Sequence, residues 1–506
     1  MNVAAAGRRP LLVDPGDADA AYNAGLGALK SGREEEALSI LEAACQKHPR
    51  DARLWQVAGL LHRALDDLAP AVAAFGKAAA LSPLDPLIAH GHARAAMEGG
   101  LPAVQLFERA HQLAPLDGPL LLGLAAAFFA EQGPAAAIEG IEKQLKVHPG
   151  WLPGHGLAAR LRYMSGDKER FTISFERALE VAPAHVDLWR ELISTLMHAG
   201  RFDDALAAIG RARKSAGPHL AFDANEAVCM AEKGEFEAAD RLFEPLAEID
   251  DLTVAVRRIR HMLRTGRPGQ AAAIAEPISA GPNASMVWPY LSVAWRMLGD
   301  PRLDWLEGDE RLVGIYDLGP DLPSLDALAA RLRALHIATA QPLEQSVRGG
   351  TQTDGPLFAR IEPEIRALRK AVVAAVERHI AQLPPPDPDH PVLAPRRDAR
   401  TRFSGSWSVR LSGKGHHANH IHPAGWFSSA LYVALPDEAE RGAPPAGWLA
   451  LGQPQAELGL DLPPVRLVEP KPGRLVLFPS IMWHGTLPFD AGERLTVAFD
   501  IAPPRP

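Results

Sequence analysis

Prolines at Pro49, Pro83, Pro115, Pro149, Pro183 and Pro218 divide the first part of this 506-residue chain at intervals of 34, 32, 34, 34 and 35 residues. A spacing held that closely leaves few folds open, because each interval must form the same unit and bury its apolar face on its neighbours. Small and aromatic residues recur in phase within the intervals. The first has Gly25, Ala28, Gly32, Ala37, Leu41 and Ala44; the second has Trp55, Gly59, Ala71, Phe75 and Ala78; the fifth has Ala159, Phe175 and Ala178. Small residues let two helices of a unit approach closely, and Phe75, Phe107 and Phe175 fill the space between units. The proline ends the second helix, since it lacks an N–H and pushes its predecessor out of the α region. The pattern weakens after Pro218 but continues through Glu226–Asp250, Leu252–Ala280 and Trp288–Leu298, which predicts about eight units with the last ones degenerate.

This period and its internal positions resemble the tetratricopeptide repeat over residues 17–300. The resemblance implies an all-α solenoid whose groove takes a protein or peptide, with scaffolding or dimerisation alone as the alternative. Composition fits a globular chain, at 47% hydrophobic and 23% charged residues. The formal charge of -8 gives no reason to expect nucleic acid. Cys45 and Cys229 stand without a C-x-x-C partner, so no disulfide framework or cysteine zinc site is expected. Residues 1–16 are expected to form a flexible N-terminus without a secretory apolar core, and no apolar run reaches the roughly 18 residues of a membrane span. The expectation is a cytoplasmic protein with no membrane partner.

Beyond about residue 300 the pattern changes. Leu312–Leu318 reads as a strand, Leu325–Ile337 as a helix, Gln345–Thr353 as a polar loop with a glycine pair, and Leu357–Leu383 as a helix ending in Pro384-Pro385-Pro386. The polar loop lacks the Gly-Lys-Ser/Thr ending of a phosphate-binding loop. From Thr401 the pattern is β: Trp407, Val409 and Leu411 alternate with polar residues, followed by Phe427–Leu435, Gly447–Leu451, Val465–Glu469, Arg474–Phe478 and Leu495–Ile501. Many short strands between Gly/Pro turns predict a jelly-roll barrel over 301–506. In an extended segment, side chains at i and i+2 share a face. His420 and His422 therefore point the same way, as do Arg494 and Thr496, and His484 can join the first pair from another strand.

The strings Gly349-Gly350-Thr351-Gln352-Thr353, Ser406 to Leu411, His420-Ile421-His422-Pro423, Ser429 to Val433 and Leu477 to Ser480, with His484 and Arg494-Leu495-Thr496, resemble the Fe(II)/2-oxoglutarate-dependent oxygenase superfamily. The likeness is greatest to the bacterial oxygenase domains that follow tetratricopeptide arrays. The fold implied for the whole chain is α+β multidomain: an N-terminal all-α solenoid, then a C-terminal double-stranded β-helix (jelly roll). The resemblance implies Fe(II), 2-oxoglutarate and O₂, with His420, His422 and His484 on the metal and no catalytic side chain beyond them. The superfamily motif is usually H-x-Asp/Glu, so His422 is a departure: a three-His centre and a two-His centre of His420 and His484 both stay open. Arg494 and Thr496 are implied to hold the distal carboxylate of 2-oxoglutarate, with Tyr432 and Arg410 as further cosubstrate candidates. Arg348, Thr351, Gln352 and Asn419 are candidates for contact with substrate.

The activity implied is hydroxylation of a protein or peptide side chain recruited by the repeat groove. Two alternatives belong to other classes: a three-His cupin-type metalloenzyme without 2-oxoglutarate, and a non-catalytic adaptor with a relic barrel.

Overall fold

In three places an aspartate two residues after a repeat proline starts the next helix. Asp51, Asp85 and Asp117 accept backbone N–H groups of Arg53, Leu87 and Leu120 at 3.0, 2.9 and 2.9 Å. The proline stops one helix and the carboxylate satisfies the orphan donors of the next, so the repeat period is built into the connection itself. The structure is a computed structural model that describes residues 11–343 and 345–504; the expected flexible N-terminus lies outside the described residues for positions 1–10. Among the described residues, eight helix pairs run from Ala18 to Ser279. The chain divides into two compact units, one of residues 11–137 with 355–366, the other of residues 138–354 with 367–504.

In the first unit Phe75 is wholly buried. A Cβ on Gly59 or Gly91 would come within 2.7 or 2.4 Å of its ring, so glycine on both neighbouring helices makes room for it. Phe107 is buried in the same way against Gly123. Ala359 and Ile361 join the cluster of Leu68, Ala71 and Phe75.

The second unit holds the later helix pairs together with two antiparallel sheets. The strands are β1 (Gly314–Asp317), β2 (Val347–Gln352), β3 (Phe403–His417), β4 (Phe427–Ala434), β5 (Leu449–Leu451), β6 (Arg466–Val468), β7 (Arg474–Pro479), β8 (His484–Thr486) and β9 (Glu493–Ile501). The larger sheet has the order β1-β7-β4-β9-β3-β2 and the smaller β6-β5-β8. Tyr432, Val476 and Phe478 from the larger sheet meet Leu449, Leu451 and Val468 from the smaller, which closes the jelly roll around an apolar interior. Residues 345–353, expected as a polar loop, instead contain β2, an edge strand paired with β3 and bulged between Arg348 and Gly350. Its polar sequence suits an edge, where one side of the ladder faces away from the sheet.

Helices of the last repeats share a core with the segments that flank the smaller sheet. Trp288, Tyr290, Leu291 and Trp295 of the helix Trp288–Leu298 pack in one cluster with Leu458, Trp483 and Ile421. Arg296 donates to the carbonyls of Gly452 and Pro463 at 3.0 and 2.7 Å. Among the described residues no helix is long and apolar enough to cross a membrane.

Candidate metal centre

Two segments bring three histidines together. His420 and His422 lie between β3 and β4, and His484 opens β8. His420 and His484 exchange both backbone hydrogen bonds, at 2.9 and 3.0 Å, while His422 donates its N–H to Ser480 at 3.0 Å. The intervening Ile421 turns into the helical core, and so does Trp483 beside His484. Alternation thus sends the imidazoles to one side and the apolar anchors to the other. The ring centroids stand 4.2 Å (His420–His484), 4.8 Å (His420–His422) and 5.2 Å (His422–His484) apart. One ring nitrogen from each lies within 4.8 Å of the others, a grouping able to hold a metal ion.

The hydrogen bonds indicate which nitrogen each ring offers. Nδ1 of His420 faces the Ala418 carbonyl at 2.8 Å, Nδ1 of His484 the Met482 carbonyl at 3.0 Å, and Nδ1 of His422 the Asp500 carboxylate at 2.8 Å. Each acceptor places the proton on Nδ1 and leaves the Nε2 lone pair for a metal. Burial pushes the pKa values of His420 and His484 well below the usual imidazole range, and the crowding of ionisable rings around them adds to the effect. Neutral rings are the form that coordinates metal, so the donor set fits a divalent ion such as iron.

Beyond the histidines the cavity continues along β9. Along β9, Arg494, Thr496, Ala498 and Asp500 face the same cavity at every second position, across from Trp407 of β3 and Ser428 and Ala430 of β4. Arg494 is only 3% exposed. It donates to the Gly447 carbonyl at 2.6 Å, its Nε has no acceptor, and it forms no ion pair among the described residues. Burial lowers its pKa, with the Tyr432 phenol opposing that shift. The guanidinium lies 5.0 Å from the Tyr432 ring centroid. Tyr432 is fully buried beside Arg494, and burial raises its pKa. Thr496 is 5% exposed and lines the cavity.

Of the residues expected from sequence, His420, His422, His484, Arg494, Thr496 and Gln352 line one cavity, and Tyr432 supports Arg494 from behind. Four others do not reach it. Arg410 points to the opposite face of β3 and pairs with Glu493 at 2.5 Å, as its phase against Trp407 and Val409 requires. Thr351 follows it to that face and binds His336 Nδ1 at 2.8 Å. Arg348 folds back onto the carbonyls of Gln345 and Val347 at 2.7 and 2.9 Å. Asn419 donates to Pro454 at 3.1 Å and lies against Gly485, where a Cβ would come within 2.0 Å of its Oδ1. None of these four lines this cavity.

Sequence reasoning left out residues that the cavity includes. Ser346 Oγ lies 3.1 Å from His417 Nδ1 and 3.2 Å from His420 Nε2. His417 is held at a pKa of about 3, chiefly by burial. Trp407 stacks on His422 with centroids 5.6 Å apart and planes 19° from parallel. Asp500 had a legible signal, since it continues the i, i+2 series of Arg494 and Thr496.

Comparison with known proteins finds one family match and several structural likenesses. Residues 405–500 match the family described as "Putative 2OG-Fe(II) oxygenase", a span that includes the three histidines, Arg494, Thr496 and Asp500. Solved structures similar to the chain include MamA, at 16% identity over 32% of this chain and 90% of that one with a TM-score of 0.29. A tetratricopeptide repeat protein from Parabacteroides merdae ATCC 43184 is 17% identical over 47% of this chain and 95% of its own, with a TM-score of 0.29. The pilF protein of Pseudomonas aeruginosa is 19% identical over 44% and 96%, with a TM-score of 0.30. No curated protein matches the chain. The class defined by the repeat period, the helix pairs and the matched C-terminal span is a tetratricopeptide array joined to a domain of the 2OG-Fe(II) oxygenase type.

Proposed function

We propose that this chain is an Fe(II)- and 2-oxoglutarate-dependent oxygenase that hydroxylates a protein or peptide side chain recruited by its repeat array. His420, His422 and His484 hold the metal through Nε2, and Arg494 and Thr496 hold the distal carboxylate of 2-oxoglutarate. When bound, iron, 2-oxoglutarate and O₂ couple decarboxylation of the cosubstrate to succinate and CO₂ with insertion of one oxygen atom into a substrate C–H bond. The protein's part is to bind, orient and keep out water.

The observation that carries the reading is the buried guanidinium of Arg494. A charge withdrawn from water without a counter-ion costs several kcal/mol, and Arg494 has none among the described residues. A carboxylate delivered by a ligand offsets that cost and receives a charge-assisted pair of N–H donors, including the idle Nε–H. Thr496, two residues on, adds a hydroxyl on the same face. Tyr432 backs the guanidinium with its ring, which fixes the fork in place. Substrate enters where Gln345, Gln352, His417 and Trp407 line the cavity, a polar rim with one aromatic face. Protein recognition rests on the tetratricopeptide-type pairs, which in other chains bind peptides. The test is turnover: with Fe(II) and O₂ the purified protein converts 2-oxoglutarate to succinate, and Arg494→Ala loses that conversion by raising the cosubstrate requirement. Full turnover in Arg494→Ala would refute the assignment.

The three-His donor set favours a second reading, a cupin-type metalloenzyme that uses no 2-oxoglutarate. That reading leaves Arg494 buried without a task.

A further inference from the structure

The usual superfamily motif puts a carboxylate where this chain has His422, yet a carboxylate is close by. Asp500 Oδ2 lies 2.8 Å from His422 Nδ1. Its other oxygen accepts the Ser428 hydroxyl at 2.7 Å, and Ser428 is itself 2.9 Å from Ser480 Oγ. Asp500 is 8% exposed and has no Lys or Arg partner among the described residues. A buried carboxylate needs hydrogen bonds or a paired group, and here these come from the Ser428 hydroxyl and the His422 ring. The ring is fixed on further sides by the Trp407 stack and by its backbone bond to Ser480. The backbone also leaves space for the pair: a Cβ at Gly425 would come within 2.4 Å of Ser480 Oγ and 3.3 Å of Asp500 Cβ.

We propose that Asp500 is a positioning residue that acts through His422, restoring to a three-imidazole centre the negative charge that a directly bound carboxylate would give. The carboxylate accepts the Nδ1 proton, locks the tautomer and raises the electron density at Nε2. A site of three neutral rings thereby carries one anionic group at the distance of a single imidazole. The inference rests on the metal-site reading above and not on the cosubstrate pocket.

The experiment is anaerobic Co(II) titration of the full chain without 2-oxoglutarate, read by the visible d–d bands. Asp500→Asn keeps shape and an acceptor but removes the charge, and is expected to weaken Co(II) binding by about 10- to 100-fold while the metal-free melting temperature stays near that of wild type. In a His422→Ala background the same change should add no further loss, because its only route to the metal is gone. Wild-type affinity in Asp500→Asn, or an equal loss in both backgrounds, would overturn the proposal. If Asp500→Asn does not fold, Ser428→Ala leaves the charge but frees one oxygen; a smaller loss in the same direction supports the coupling and unchanged affinity overturns it. Wild type that takes up no Co(II) would remove the metal-site reading as well, whereas failure of the 2-oxoglutarate pocket alone would show in Arg494 variants and leave this titration unchanged.

Discussion

The indole Nε1 of Trp483 donates to the main-chain carbonyl of Pro289 at 2.9 Å, and the residue after this tryptophan is His484. The same ring meets Tyr290 edge-on at 5.7 Å. Ile421, between the other two histidines, enters the same cluster. The helix Trp288–Leu298 is therefore the floor on which the histidine-bearing segments rest. Trp483→Ala should destabilise the second unit by about 3–5 kcal/mol and weaken metal binding. Trp483→Phe, which strands one carbonyl, should cost about 1 kcal/mol. Denaturant unfolding and a metal titration on each variant check this; metal affinity unaltered in a folded Trp483→Ala would contradict it.

Divalent metal should stabilise the fold, because it binds the native histidine cluster and not the unfolded chain. At a free concentration about 100 times Kd the gain is about 2.7 kcal/mol. Calorimetry with and without Co(II) should show a rise in Tm that a chelator reverses. His420→Ala and His484→Ala should each abolish the rise.

Arg410 and Arg494 lie on paired neighbouring strands, β3 and β9, with opposite phase, and should behave differently. Arg410 is a surface cation paired with Glu493, so Arg410→Ala should change stability by at most about 1 kcal/mol and leave 2-oxoglutarate binding within about twofold. Arg494→Lys should weaken that binding by at least about tenfold, since a point charge cannot replace the fork. Competition binding with labelled 2-oxoglutarate separates the two.

His379 predicts an acid-sensitive fold. It is 1% exposed, lies 3.0 Å from the Tyr316 hydroxyl and meets the Phe427 ring edge-on at 5.0 Å. Burial holds its pKa at about 4. The unfolded ring titrates near 6.5. Above that pH both states are neutral and the ring has no effect. As pH falls from 6.5 towards 4, the unfolded state takes up a proton that the folded state refuses, so stability drops by about 1.4 kcal/mol per pH unit from this ring. His379→Leu should flatten the acid limb of a stability–pH curve by about one proton; an unchanged slope would contradict the assignment.

The repeat array was legible because one proline per unit and in-phase Gly, Ala and Phe are local marks of helix ends and close packing. The aspartate caps were equally local and were passed over. In the barrel, β3 announced itself by alternation and β4 and β7 by apolar runs, whereas β2 hid behind glycines and polar residues. Gly350 is needed there because a Cβ would meet the Arg410 carbonyl at 2.3 Å. The histidines and Arg494 were legible as motifs. The Asp500–His422 pair was not, since it joins distant segments that only the register of β9 with β4 brings together. Arg410 was considered because its phase opposes Trp407, Val409 and Leu411, and that same phase carries it to Glu493 and not into the cavity.

The central claim is best tested by anaerobic titration of Fe(II)-loaded protein with 2-oxoglutarate, followed by the weak visible charge-transfer band of the chelate. The account predicts a band in wild type and in Arg410→Ala, and its loss in Arg494→Ala. Protein that retains Fe(II) yet shows no band would contradict the 2-oxoglutarate assignment and favour the three-His metalloenzyme instead.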